Sequence, residues 1–203
     1  IDTGIVFGHR DIDYDRIVEG YDFISDADNA GDGDGIDDDP TDSSGGVVFG
    51  NGWHGTHIAG TIAASTSNGV GIAGVGYNQL DVMPLRVLGG EGGNTYDLAQ
   101  AILYAIGEEN DSGVVPRRRA AVINLSLGTP KPDRFLERIL ERARTAGVVV
   151  VAAVGNEGNS SITYPAAYAS VIGVGATTID RSVAEYSNFG AEIDLVAPGG
   201  DTT

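Results

Sequence analysis

Three short strings in the sequence carry side chains that together could perform acyl-transfer chemistry. Asp2 stands just before a glycine turn, His54 opens a helix-like stretch of small residues, and Asn156 follows an apolar run at a second glycine turn. A carboxylate that orients an imidazole, an imidazole that moves a proton and an amide that donates to an oxyanion are three of the four parts of such a site. Taken singly, the three residues have ordinary interpretations as two turn formers and a structural histidine. Their joint occurrence favours catalysis.

The segments that must position these side chains alternate between strand-like and helix-like patterns. Apolar, β-branched runs of strand length occur at residues 80–87, 121–125, 148–153, 171–174 and 193–196. Between them, apolar residues at helical spacing predict helices around 98–106 and 136–143, with Thr95 and Asp133 as N-caps and Gly147 ending the second helix. This alternation predicts an α/β fold, a parallel sheet with helices on both faces, whose site lies at the carboxyl ends of the strands.

Composition narrows the classes of partner. The chain has 203 residues, which favours one domain over residues 1–203, and its formal net charge of −17 makes binding to nucleic acid or to an anionic membrane unfavourable. The absence of cysteine excludes a thiol nucleophile and thiolate metal sites. No apolar run approaches the roughly 18 residues that a membrane-spanning helix needs. We therefore expect neither a nucleic-acid nor a membrane partner.

Much of the negative charge lies in residues 25–46, which we interpret as an acidic insertion without a core strand or helix. Its aspartates are Asp26, Asp28, Asp32, Asp34, Asp37, Asp38, Asp39 and Asp42. Carboxylates alternating with glycines supply the hard oxygen ligands that calcium prefers, which predicts a site formed by Asp32, Asp34, Asp37 and Asp39. The alternative is a solvated acidic loop.

Six strings, in order, resemble the subtilisin-like serine proteases, the subtilase family. They are residues 1–5 (IDTGI), 54–61 (HGTHIAGT), 124–128 (NLSLG), 152–158 (AAVGNEG), 164–166 (YPA) and 197–199 (APG). The resemblance implies that Asp2 orients the imidazole, that His54 is general base and then general acid, and that Asn156 donates to the oxyanion. His57 would be a packing residue. The resemblance also implies a cis peptide at Tyr164–Pro165.

The same resemblance implies where a peptide substrate binds, as a strand added between two edge segments. One edge contains Leu88, Gly89, Gly90 and Gly92, for which the alternative is a flexible loop, and the other contains Ser126, Leu127 and Gly128. The pocket for the P1 side chain, the residue before the scissile bond, would be lined by Ala153, Gly155 and Thr163, with Glu157 near its mouth. A calcium loop is implied by Asp11, Asn68, Val70 and Ile72.

We therefore predict a serine endopeptidase that acts through an acyl-enzyme. The family's nucleophile follows the APG string, so we expect an incomplete catalytic domain that is inactive alone. The expected cofactor is calcium, the expected partners are polypeptide substrates and a propeptide or the remaining segment of the domain, and the expected location is extracellular. The alternative is a non-catalytic subtilase-like domain that binds peptides or calcium. A nucleotide-binding domain, based on Gly69, Gly71 and Gly74, is a distant third.

Overall fold

The computed structural model describes residues 1–43 and 52–200 and divides the chain into two compact units, Ile1–Arg119 and Ala120–Thr203. Parallel strands and helices alternate in sequence, which confirms the predicted α/β class. That the whole chain forms a single domain stays a prediction. No helix in the described ranges is both long and apolar enough to cross a membrane.

The residues of the first unit that the structure describes form a two-stranded parallel sheet and three α-helices. The strands are β1 (Tyr21–Asp22) and β2 (Leu85–Arg86), and the helices are α1 (Ala27–Ala30), α2 (His54–Ala63) and α3 (Thr95–Ala105), with a 3-10 helix at Tyr14–Arg16. The strand predicted over 80–87 is reduced to two residues. Pro84 has no amide hydrogen to donate, and Val82 forms only an isolated bridge to Ile17.

Helix α3 begins one residue earlier than its predicted cap implies. The side chain of Asn94 accepts a hydrogen bond from the amide of Asp97 at 2.8 Å, so Asn94 is the N-cap and Thr95 is the first helical residue. The prediction of Thr95 as the cap was therefore wrong by one position. Leu98 and Ile102 are buried as their spacing predicts.

The acidic insertion is more ordered than its composition suggests, as far as residue 43; residues 44–46 lie outside the described residues. It contains α1, whose N-cap Asp26 accepts from the amide of Asp28 at 3.0 Å, so the expectation of no core helix was wrong for this single turn, in which Ala30 is buried. Farther along, the backbone of Ile5 bonds the carbonyl of Pro40 and the amide of Asp42. The insertion thus pairs with the segment that carries Asp2.

The second unit is a four-stranded parallel sheet with one helix. Its strands are β3 (Val122–Leu125), β4 (Val149–Ala153), β5 (Ile172–Thr177) and β6 (Leu195–Pro198), hydrogen-bonded in that order, and α4 (Arg134–Thr145) packs against β4. The side chain of Asp133 caps α4, as predicted, and Gly147 follows the helix with a φ of 80°. The Tyr164–Pro165 peptide is cis, which confirms the prediction.

A buried ion cluster holds the first unit together around Arg86. This side chain is 1% exposed, and its guanidinium bonds the carboxylates of Asp22 and Asp32, the carbonyl of Ala30 and the hydroxyl of Ser43. Burial raises the pKa of Asp22 to about 7, while the amide of Ile24 and the charge of Arg86 oppose that rise. Arg86 therefore joins β1, β2 and the acidic insertion.

Replacing Arg86 by methionine should destabilise the fold by about 3–5 kcal/mol, because it leaves buried carboxylates without their cation. The loss should be larger at pH 8 than at pH 5. The pKa of Asp22 would rise further above its ordinary 3.8, and a folded state that binds the extra proton loses stability as the pH rises through that window. Denaturant unfolding at both pH values measures this.

Arg144→Ala is the matched control, because the ion pair of Arg144 with Glu141 is exposed and should contribute less than about 1 kcal/mol. Equal losses for the two variants, or a loss for Arg86→Met that does not depend on pH, would contradict the role given to the cluster.

Candidate active site

The carboxylate of Asp2 and the imidazole of His54 form a hydrogen-bonded pair. Asp2 Oδ1 lies 2.7 Å from His54 Nδ1 and also accepts from the amide of Thr3 at 2.8 Å. Asp2 is 6% exposed, whereas the His54 side chain is about one-third exposed. The arrangement orients the ring through one nitrogen and leaves the other, Nε2, for chemistry.

The backbone of β2 fixes the position of Asp2. The amide of Asp2 donates to the carbonyl of Leu85, and the carbonyl of Asp2 accepts from the amide of Val87, each at 2.9 Å. Asp2 pairs in parallel with Arg86, so the acid lies beside the residue that carries the buried guanidinium.

Helix α2 approaches the Asp2 segment closely because its second residue is glycine. A Cβ on Gly55 would lie 2.3 Å from the carbonyl oxygen of Gly4, so a larger residue would push His54 away from Asp2. The Gly55 amide donates to the hydroxyl of Thr3, which in turn donates to the carboxylate of Asp42 at 2.7 Å. Sequence reasoning missed these contacts of Thr3 and Asp42.

The hydrogen bond that His54 donates to the Asp2 carboxylate raises the pKa of His54 above its ordinary 6.5, against the opposing effect of burial. An imidazole that holds its proton more firmly is a stronger base once deprotonated. His57, three residues along the same helix, is exposed, so the interpretation of His57 as a packing residue was wrong.

In the second unit, Asn156 is exposed directly after β4, on a turn that the predicted pocket residues surround. The amide of Thr163 donates to the carbonyl of Val154 at 3.0 Å, and the Thr163 hydroxyl donates to that of Ala153 at 3.4 Å. A Cβ on Gly155 would lie 2.7 Å from a carboxylate oxygen of Glu157 and 2.9 Å from the Thr163 methyl. Ala153, Gly155, Glu157 and Thr163 thus lie close together, and their role as the P1 pocket stays a prediction.

The predicted edge segment of the second unit lies next to the same residues. A Cβ on Gly128 would lie 2.7 Å from the Thr163 hydroxyl, and Thr129 exchanges two backbone hydrogen bonds with Tyr164, each of 2.8 Å. The hydroxyl of Ser126 accepts from the side chain of Asn124, whereas Leu127 has an intermediate exposure. Gly128 therefore lies beside Thr163, and the role of residues 126–128 as a substrate-binding edge stays a prediction.

The other predicted edge, from Leu88 to Gly92 in the first unit, is a tight turn held by Asn29 of α1. Gly89 and Gly92 exchange two backbone hydrogen bonds, and the Asn29 carbonyl accepts from the amide of Gly90 at 3.0 Å. A Cβ on Gly89 would lie 2.1 Å from the Asn29 carbonyl oxygen, so that glycine admits the backbone of Asn29. The alternative of an unattached flexible loop does not fit these contacts, and sequence reasoning missed Asn29.

The predicted calcium loop wraps closely around Asp11. The carboxylate of Asp11 accepts from the Asn68 side chain and from the amide of Ile72, both at 2.8 Å, and these bonds lower its pKa, so it stays ionised at neutral pH. A Cβ on Gly71 would lie 2.0 Å from that carboxylate. No hydrogen bond within the described residues uses the carbonyls of Val70 and Ile72. These oxygen donors fit calcium.

The four aspartates of the insertion do not form one ligand group. Asp32 is paired with Arg86, and Asp39 accepts from the amide of Thr41 at 3.0 Å. Burial raises the pKa of Asp37, as do its side-chain hydrogen bond with Asp34 and the nearby charge of Asp32, whereas the amide of Asp39, which donates to Asp37 Oδ1 at 2.7 Å, opposes that rise. Within the two described ranges, residues 1–43 and residues 52–200, no three acidic or histidine side chains are arranged to hold a metal ion.

Comparison with known proteins agrees with this geometry. The model of the subtilase family matches residues 1–203, and the chain belongs to that family. It is 42% identical over 98% of its length to an extracellular protease of Xanthomonas campestris, covering 36% of that protein. It is 42% identical over 99% of its length to a thermophilic serine proteinase of Bacillus sp. strain AK1, covering 43% of it.

A solved structure of proteases from Pseudoalteromonas arctica has a TM-score of 0.90 and 39% identity to the chain, covering all of it and 62% of that structure. This similarity confirms the predicted subtilisin-like fold. The chain spans less than half the length of the two curated relatives just described.

Replacing Asp2 by asparagine should lower the pKa of His54, because the variant keeps a side-chain oxygen but removes the negative charge that favours the imidazolium. A pH titration of the histidine ring protons by NMR measures this, and His57 on the same helix is the internal reference. The part of folding stability that comes from the raised pKa is present below pH 6.5 and lost as the pH rises through the folded pKa. An unchanged His54 titration in Asp2→Asn would contradict the pairing.

Proposed function

We propose that the complete protein containing this chain is a serine endopeptidase that hydrolyses peptide bonds through an acyl-enzyme. The observation that carries the proposal is the 2.7 Å hydrogen bond between Asp2 and His54 Nδ1, where Asp2 forms an isolated parallel bridge with Arg86. Membership of the subtilase family and the protease names of the relatives support it.

In the proposed mechanism, His54 removes the proton from a serine hydroxyl as its oxygen bonds to the substrate carbonyl carbon. The charge that develops on the carbonyl oxygen is stabilised by the side-chain amide of Asn156. The peptide C–N bond then breaks, and His54 gives its proton to the leaving amine. In the second half, His54 takes a proton from the water that releases the acyl group. Throughout, Asp2 holds the ring and stabilises the imidazolium.

Polypeptide substrates are the proposed partners. Residues 88–92 and 126–128 would pair with the substrate backbone, and the pocket around Gly155 would hold its P1 side chain. The apolar walls favour a sizeable apolar P1 residue, and the Glu157 carboxylate tolerates a basic one. We also propose secretion, which the printed name of the Xanthomonas relative supports, and a propeptide partner.

Calcium is the proposed cofactor. Asp11, Asn68 and the carbonyls of Val70 and Ile72 would hold it, and its charge would fix the loop around Asp11. A second ion at the insertion would rest on Asp34 and Asp37, the two carboxylates that are in contact.

The kinetic test uses the complete protein and a chromogenic peptide. His54→Ala should abolish hydrolysis while the fold persists, and His57→Ala, an exposed neighbour on the same helix, should leave it unchanged. Asn156→Ala should lower kcat by about 10²–10³ with little change in KM, a magnitude taken from subtilisin itself.

Two outcomes would contradict the proposed activity, and the second of them would favour the non-catalytic alternative. Hydrolysis that survives in His54→Ala, or a folded protein that neither cleaves peptides nor reacts with a serine-directed fluorophosphonate, would overturn the proposed activity.

The calcium test counts bound ions by calorimetry in variants of matched charge. Asp11→Asn should remove one ion, and the double variant Asp34→Asn with Asp37→Asn should remove another, whereas Asp180→Asn, on an exposed turn, should remove none. Calcium at a hundred times its dissociation constant should stabilise the fold by about 2.7 kcal/mol per site. An unchanged stoichiometry in the double variant would identify the insertion as a solvated acidic loop.

A further inference from the structure

Asn188 is a buried amide whose side chain bonds only the segment that surrounds Asn156. It is 1% exposed. Its Nδ2 donates to the carbonyls of Val154 and Ser161, at 3.2 and 2.8 Å, and to the carboxylate of Glu157 at 2.6 Å. Its Oδ1 accepts from the amides of Glu157 and Asn159, at 3.0 and 3.3 Å.

The backbone around Asn188 strengthens the same attachment. The Asn188 amide donates to the carbonyl of Gly155 at 3.1 Å, the Gly158 amide donates to the carbonyl of Tyr186, and the Phe189 amide donates to that of Asn159. Gly155 has a φ of 111°, and a Cβ there would lie 2.3 Å from Asn188 Nδ2. The turn is therefore wrapped tightly around one amide group.

Asn156 itself is exposed, so its position depends on its neighbours. The carbonyl of Gly155 accepts from the backbone amide of Asn188, and the amide of Glu157 donates to the side chain of Asn188. A buried amide with all its partners satisfied fixes one local conformation. An oxyanion donor needs such fixation, since a misplacement of about 1 Å can cost about 10² in rate.

We propose that Asn188 is a positioning residue that fixes the backbone on both sides of Asn156 and thereby aims the Asn156 amide at the oxyanion. The proposal rests on the proposed function, because it assumes that Asn156 is the oxyanion donor. It predicts an effect on kcat that disappears once Asn156 is removed.

A double-mutant cycle in the complete protein tests the proposal. Asn188→Asp keeps the shape and the two accepted bonds but loses the three donated ones. It should lower kcat at least about tenfold with KM nearly unchanged. In an Asn156→Ala background, the same substitution should lower kcat less than about twofold.

Asn110→Asp is the matched control. Asn110 is also a buried loop amide, which donates to the carbonyls of Glu108 and Val114, and its loss should lower the melting temperature without changing kcat. If Asn188→Asp does not fold, Asn188→Ser, which keeps one donor, goes through the same cycle.

The outcomes separate the two proposals. Additive losses in the cycle, or a loss for Asn188→Asp no greater than for Asn110→Asp, would overturn the positioning role and leave the proposed function intact. If Asn156→Ala leaves kcat unchanged, the oxyanion assignment fails and the role of Asn188 fails with it. A protein without His54-dependent hydrolysis would overturn the proposed activity itself.

Discussion

The buried guanidinium of Arg86 is the interaction on which the first unit depends. Among the side chains that the structure describes, it is the one buried arginine or lysine, and two carboxylates, a carbonyl and a hydroxyl surround it. The backbone of the same residue pairs with Asp2. One residue therefore neutralises part of the acidic insertion and supports the strand position of the acid, so the charge balance of the insertion is coupled to the Asp2–His54 pair.

In the second unit, a buried but uncharged side chain, that of Asn188, has a comparable role. Asn188 is buried like Arg86, but its partners are mainly backbone groups, and it holds a turn instead of a charged loop. Arg86 and Asn188 are both buried and both hold a segment that carries a candidate site residue. Because they are buried, each of their hydrogen bonds is costly to lose. Asn156 is exposed and the His54 side chain is about one-third exposed, so both remain accessible while their backbones stay in place.

The sequence predicted the fold class, the strands of the second unit and the Asp2–His54 pair, because periodicity and the family strings report them directly. It did not predict Arg86, Asn29, Asp42 or Asn188, whose roles depend on contacts 31 to 63 residues away along the chain. The sequence did contain one indication of the role of Arg86. It is a charged residue within an apolar run, in a chain that has an excess of aspartates elsewhere. Asn94, and not Thr95, is the N-cap of α3, because neighbouring polar residues compete for the same free amides at the start of a helix.

The pairing of Arg86 also limits what else the insertion can bind. Asp32 is paired with Arg86, whereas Asp34 and Asp37 remain as two carboxylates in contact. Burial, and after it the neighbouring Asp34 and Asp32, raise the pKa of Asp37, so keeping Asp37 charged has a cost. A proton or a cation can relieve that cost, and each excludes the other. If calcium binds this pair as proposed, its affinity there should fall as the pH is lowered, whereas the Asp11 carboxylate, whose pKa is lowered by its hydrogen bonds to Asn68 and Ile72, keeps its charge to lower pH.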